Sequence, residues 1–203
     1  MSGLYFKYGT MNSSKTANLL MAKHNYEEQG FDVILLKPDT DTRSIKVTSR
    51  VGLSSDCIGI SSDAAVKEII ELECNNRHDT ISNVVVMVDE AQFLTPVQVN
   101  DLYVLSFKNV VMCYGLLTDF RRELFPGSKS LIELADSIQE IKSICRCGKR
   151  AVANARFKNG KFTLAGEQVE IGAEDKYKAL CKECYQKEFI NLLAEGNIHE
   201  DNY

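Results

Sequence analysis

Three groups of residues are typed and spaced for chemistry. The first is Gly9-Thr10-Met11-Asn12-Ser13-Ser14-Lys15-Thr16, which matches G-x-x-x-x-G-K-[ST] everywhere except at the second glycine, where Ser14 stands. Such a loop wraps phosphate oxygens with backbone N–H groups and lies at the positive end of the helix that follows. Its lysine bridges phosphates as a point charge, and its last hydroxyl can ligate Mg²⁺. The bland alternative is a helix capped by Ser13 or Ser14 with an ordinary exposed lysine. The second group is Asp89-Glu90, at the end of the apolar run NVVVMV. A first carboxylate there can hold Mg²⁺, usually through water, while its neighbour is free to act as a base. A strand that simply meets water through two acids would look the same. The third group is Cys145-x-Cys147 with Cys181-x-x-Cys184. That spacing suits a tetrahedral thiolate site for Zn²⁺, although one intervening residue is tighter than the usual two; reactive thiols or a redox pair are the alternatives.

These groups need elements to position them. A short apolar run precedes Gly9, and a helical pattern over residues 15–29 follows Lys15, ending at the good C-cap Gly30. FDVILLK, residues 31–37, reads as a second strand parallel to the first. The loop over residues 37–43 then falls at the carboxyl end of that strand, where open α/β sheets place ligand-contacting loops, so Asp41 and Arg43 become candidates. Residues 44–62 are serine-rich with a weak alternating pattern and read as a mobile hairpin or flap. Asp63 caps a helix to about residue 75, residues 83–88 are the strongest buried strand, and a proline-started helix over 96–106 leads to a strand over 109–114. Gly127 and Ser128 open a further helix, and residues 139–144 read as a last strand. The order β-α-β-flap-α-β-α-β implies a parallel sheet with right-handed crossovers and the candidate loops on one edge. Between the cysteine pairs, FKNGKF reads as a hairpin with an Asn-Gly turn and GEQVEIGAEDKY as a polar loop that a metal would pin at both ends. The expected division is a nucleotide-binding domain over 1–142, a metal-binding domain over 143–191 and a frayed tail over 192–203.

Composition narrows the classes. With 203 residues, 44% hydrophobic and 26% charged, the chain can bury one main core and a small appended unit, which excludes disordered and collagen-like readings. Twenty-four basic residues against 28 acidic ones give a net charge of -4, so there is no basic footprint for nucleic acid or an anionic membrane. No apolar run approaches the roughly 18 residues of a membrane span, and MSGLYFKYG lacks the halves of a signal peptide, so the expected location is cytoplasmic. The seven cysteines are then expected to be unpaired, with Cys57, Cys74 and Cys113 serving as small apolar residues.

Taken together, residues 9–16, residues 37–43, Asp-Glu-x-Gln-Phe at 89–93, Gly-Leu-x-Thr-Asp-Phe at 115–120 and the four clustered cysteines resemble the type II thymidine kinase family over about residues 2–190. The resemblance implies a RecA-like P-loop domain with a mainly parallel sheet and a small zinc-binding domain that carries a lasso loop over the nucleoside. It implies transfer of the ATP γ-phosphoryl group to the 5′-hydroxyl of thymidine, a homotetramer, and ATP, Mg²⁺ and structural Zn²⁺ as cofactors. By position, Glu90 is the general base. Gly9, Thr10, Met11, Asn12, Ser13, Ser14, Lys15 and Thr16 hold ATP with Asp41, Thr42, Arg43, Asp89 and Gln92, and Thr16 and Asp89 hold Mg²⁺. Met11, Phe93, Leu116, Phe120, Gln168, Val169, Glu170, Ile171, Gly172 and Tyr177 surround thymidine, while Cys145, Cys147, Cys181 and Cys184 take zinc.

Three positions depart from the family pattern: Ser14 for the loop glycine, Leu117 for an often polar residue, and Ala173 for the second glycine of Ile-Gly-Gly. A β-carbon at residue 14 is expected to cost about 1 kcal/mol by crowding the curl of the loop. Two other functions fit a P-loop with a zinc ribbon: a nucleic-acid-dependent ATPase, and an ATP sensor that does not turn over. Stimulation by thymidine, by DNA, or by neither separates them.

Overall fold

Strands that are apolar at every position, rather than at alternate ones, are buried on both faces. The computed structural model describes residues 2–38, 45–76, 84–168 and 176–194, and they fall into two compact units. The first unit comprises Met1–Tyr8, Ser14–Leu117 and Phe125–Ile141. In chain order it holds β1 (Gly3–Tyr8), α1 (Lys15–Glu28), β2 (Asp32–Pro38), β3 (Ile45–Thr48), β4 (Ser54–Ile60), α2 (Val66–Asn76), β5 (Val84–Val88), α3 (Pro96–Leu105), β6 (Val110–Gly115), α4 (Pro126–Leu134) and β7 (Ser137–Glu140).

Its strands form one sheet in the order β3-β4-β2-β5-β6-β1-β7, parallel throughout except for β3 against β4. Alternation sorts side chains to two cores. Val84, Val86 and Val88 of β5 join Ile70 of α2, Leu102 of α3 and Leu131 of α4, while Val85 and Met87 join Leu19 and Leu20 of α1. Cys74 and Cys113 lie in the first core as small apolar residues, and burial pushes the Cys113 thiol up. The sheet is the mainly parallel α/β arrangement expected. The flap reading is corrected: residues 45–60 do make a hairpin, but β4 pairs in parallel with β2 and extends the sheet. Backbone pairing gave these polar residues a place that their weak alternation did not announce.

The second unit comprises Gly9–Ser13, Thr118–Leu124 and Lys142–Tyr203. It holds β8 (Ser143–Ile144), β9 (Arg150–Ala151), β10 (Ala153–Lys158), β11 (Lys161–Thr163), β12 (Lys176–Leu180) and α5 (Lys182–Ala194). β8 and β9 form a hairpin, and β10 lies between β11 and β12, antiparallel to both. The expected Asn-Gly turn is present: Asn159 and Gly160 have φ of 51° and 79°, the signs a two-residue I′ hairpin turn needs. Ala153, Ala155, Phe157, Phe162 and Tyr185 make a small core that includes Cys145 and Cys181. α5 takes in residues 192–194 of the expected tail, and residues 195–203 lie outside the described residues. No described helix is long and apolar enough to cross a membrane.

Candidate active site

In the first unit, α1 begins at Lys15 with Ser14 as its N-cap. Ser14 has φ 61° and ψ 29°, and its side chain makes no cap hydrogen bond, so the bland capped-helix reading lacks its defining contact. The left-handed backbone is the one glycine adopts freely, which puts the expected strain at residue 14. Its carbonyl accepts from Asn18 N at 3.0 Å and Asn18 Nδ2 at 2.9 Å, which anchors the first turn. Burial holds Lys15 below the ordinary lysine value, and the Glu90 and Asp89 carboxylates partly offset it.

Thr16 Oγ1 donates to Asp89 Oδ2 at 3.1 Å. Asp89 is buried at the end of β5, and desolvation, reinforced by Glu90, pushes its pKa up to about 6 against the opposing Thr16 hydrogen bond. A hydroxyl beside a desolvated carboxylate is a donor set suited to a hard cation such as Mg²⁺, whose charge would keep Asp89 ionised. Glu90 follows with φ 53° and ψ 39°, and a 3₁₀ turn over Ala91–Phe93 comes next. Gln92 Nε2 donates to Glu90 Oε2 at 2.6 Å, and Gln92 Oε1 accepts from Leu116 N at 2.9 Å. Phe93 is 41% exposed, its ring edge-on to Phe125 at 5.8 Å.

The second unit contains the rest of the loop, Gly9–Ser13. Thr10 Oγ1 and Ser143 Oγ are 2.5 Å apart, and Asn12 has φ 65°. Ser13 is buried, and its hydroxyl has no hydrogen-bond partner. Met11 N donates to Asn154 Oδ1 at 2.8 Å, and Asn154 Nδ2 donates to the Thr118 carbonyl at 3.1 Å. The Met11 N–H is therefore engaged by the protein rather than turned toward a phosphate. Phe120 is buried, 6.5 Å from the Tyr177 ring, and its carbonyl accepts from Tyr185 Oη at 2.7 Å. The guanidinium groups of Arg156 and Arg121 lie 5.1 and 5.2 Å from its ring centre. Gln168 is half-buried.

Asn154 and Arg156 were missed in the sequence. Both are buried on β10, two residues apart and so on one face of the strand. The signal was present in A-N-A-R-F, where polar residues alternate with apolar ones inside a buried strand. Asp41, Thr42, Arg43, Val169, Glu170, Ile171, Gly172 and Ala173 lie outside the described residues.

The four cysteines meet. Their sulfurs all lie within 4.8 Å of one another, and Cys147 Sγ is 3.5 Å from Cys181 Sγ. A tetrahedron with Zn–S bonds of about 2.3 Å has edges of about 3.8 Å, so the cluster is compatible with zinc. The tight Cys-x-Cys spacing falls in the five-residue turn between β8 and β9: Gly148 takes φ 87°, Gly148 N donates to the Cys145 carbonyl at 2.8 Å and Cys145 N to the Lys149 carbonyl at 2.8 Å.

Among known proteins, the family description "Thymidine kinase" matches residues 2–185. A thymidine kinase of Photorhabdus laumondii is 40% identical over 192 residues, covering 92% of this chain and 94% of that protein. One from Streptococcus pyogenes is 43% identical over 191 residues, covering 91% and 97%. One from Rhodopirellula baltica is 38% identical over 205 residues, covering 98% and 94%.

Proposed function

The chain belongs to the thymidine kinase family, and from that membership we propose that Glu90 is the general base in transfer of the ATP γ-phosphoryl group to the 5′-hydroxyl of thymidine, giving dTMP. The enzyme is an ATP-dependent transferase, and membership does not favour a DNA-dependent ATPase or a silent ATP sensor. The observation that carries the residue assignment is the 3.1 Å contact of Thr16 with Asp89, which joins the end of the phosphate-loop motif to the acidic strand end.

Lys15 and the N–H groups at the start of α1 bind the phosphates, helped by the helix dipole. Thr16 and Asp89 hold Mg²⁺, which when bound supplies positive charge to the phosphate oxygens. Glu90 takes the proton of the 5′-hydroxyl as attack proceeds, a role worth about 10²- to 10⁴-fold. Phe120 and Tyr177, joined by Met11, Phe93 and Leu116, supply apolar walls for thymine, with Gln168, Val169, Glu170, Ile171 and Gly172 on its polar edge. Asp41, Thr42 and Arg43 complete the ATP contacts. Structural Zn²⁺ on the four cysteines fixes the loop ends. The division at residues 142 and 191, a cytoplasmic location and a homotetramer belong to the same proposal; a solution mass four times the 22.8 kDa chain is the expected assembly.

An ADP-release assay tests the whole. Turnover is expected with thymidine; turnover stimulated by DNA alone, or ATP binding without turnover, would overturn it.

A further inference from the structure

Gln92 is 1% exposed, and both ends of its amide are engaged. The Leu116 N–H can only donate, so it dictates that the end facing it is oxygen; the NH₂ end is then committed to Glu90 Oε2. Gly115 preserves this arrangement, since a Cβ there would lie 2.7 Å from Gln92 Oε1 and 3.0 Å from Gln92 N. Glu90 meanwhile sits at φ 53°, a backbone state that is strained for a non-glycine residue and persists only where its surroundings impose it. A left-handed residue next to a strand end turns its side chain out of the strand's register, and one buried amide sets where that side chain stops.

We infer that Gln92 is a positioning residue for the Glu90 carboxylate and not a phosphate ligand. It occupies one carboxylate oxygen and leaves the other to receive the proton. Its other end is fixed by the N–H of Leu116, the residue after β6. This inference rests on the reading of Glu90 as the base.

The test is Gln92→Met, which keeps length and loses both hydrogen bonds, made in the wild-type and the Glu90→Gln backgrounds, with kcat and both KM values measured by ADP release. A hydrogen bond to a charged group is worth about 1.5–3 kcal/mol, so kcat should fall about tenfold or more with KM for ATP unchanged within about twofold. In the Glu90→Gln background the same substitution should cost less than about twofold, because the group it positions is gone. Gly115→Ala, which leaves Gln92 in place but crowds its oxygen, should reproduce part of the kcat loss and serves if Gln92→Met does not fold. A rise in KM for ATP with kcat retained would make Gln92 a phosphate contact and overturn the inference. So would equal kcat losses in both backgrounds, which mark a general packing defect. Wild-type kcat in Gln92→Met beside a crippled Glu90→Gln overturns this inference alone; undiminished kcat in Glu90→Gln overturns the base assignment and the inference with it.

Discussion

The two units differ in how much apolar surface they bury, and each holds costly groups of its own. The first buries apolar side chains on both faces of a seven-stranded sheet. Against that core it holds a desolvated Asp89, a desolvated Lys15 and the left-handed Ser14 and Glu90. The second has a three-stranded sheet and a small alanine-rich core with two of its four clustered cysteines inside it. A core of that size supplies little burial, so a metal tying both ends of the segment is the natural substitute for it. Two of the left-handed residues and the desolvated Asp89 and Lys15 lie in the unit with the larger core, and the four converging cysteines lie in the unit with the smaller one.

The sharpest way to break this contrast is at Glu90. Glu90→Gln should lower kcat by about 10²- to 10⁴-fold while both KM values stay near wild type, since it removes the proposed base and keeps the shape. Steady-state rates that hardly change would mean that the strained residue of the first unit carries no chemistry.

The next largest effect concerns the buried charge. Because Asp89 has a folded-state pKa near 6 against an ordinary 3.8, the folded state holds its proton more tightly than the unfolded one. Stability is therefore lost as pH rises through about 4 to 6, and the full penalty, about 3 kcal/mol, is present at neutral pH in metal-free protein. Asp89→Asn should melt higher than wild type at pH 7.5, with the gap closing toward pH 4. A gap that does not depend on pH would show that burial of the charge is not its source.

Cys181→Ser probes the other side. Zinc content of close to one equivalent in the wild type should drop, because three thiolates and a hydroxyl hold the metal more weakly. KM for thymidine should rise about tenfold, and the hairpin over residues 158–163 should become open to protease, while ATP affinity changes little. Elemental analysis well under half an equivalent in wild-type protein never exposed to chelator would remove the coordination half of the comparison.

The smallest effect is at Ser14. Ser14→Gly relieves a left-handed β-carbon, worth about 1 kcal/mol, and should leave ATP affinity and kcat equal or better. Clear losses in both would mean that the loop has adapted around serine.

Much of the first unit was legible because its strands are continuous apolar runs. FDVILLK, NVVVMV and NVVMCY each proved to be central strands, within a residue or so at their ends. β12 and α5 were not legible: KYKAL and KECYQKEFINLLA carry mixed polar and apolar residues whose partners are far away in sequence. The same holds for β4, which joins the sheet only because the exposed edge of β2 accepts it. In the candidate site, motif spacing singled out Lys15, Thr16, Asp89, Glu90 and Gln92 as expectations, and it carried no sign of the contacts that Gln92 and Asn154 make. Both amides act through backbone groups distant in the chain, Leu116 for one and Met11 with Thr118 for the other.

By itself the sequence determined the elements whose burial is total, the phosphate-loop and acidic motifs, and the cysteine spacing, since each depends on residue type within a short window. Tertiary structure alone decided that Ser14 and Glu90 are left-handed, that the four sulfurs converge, and that one buried glutamine amide lies between the Glu90 carboxylate and the Leu116 N–H. Those outcomes depend on where distant backbone donors and acceptors come to rest, and a local pattern of residue types carries no record of that.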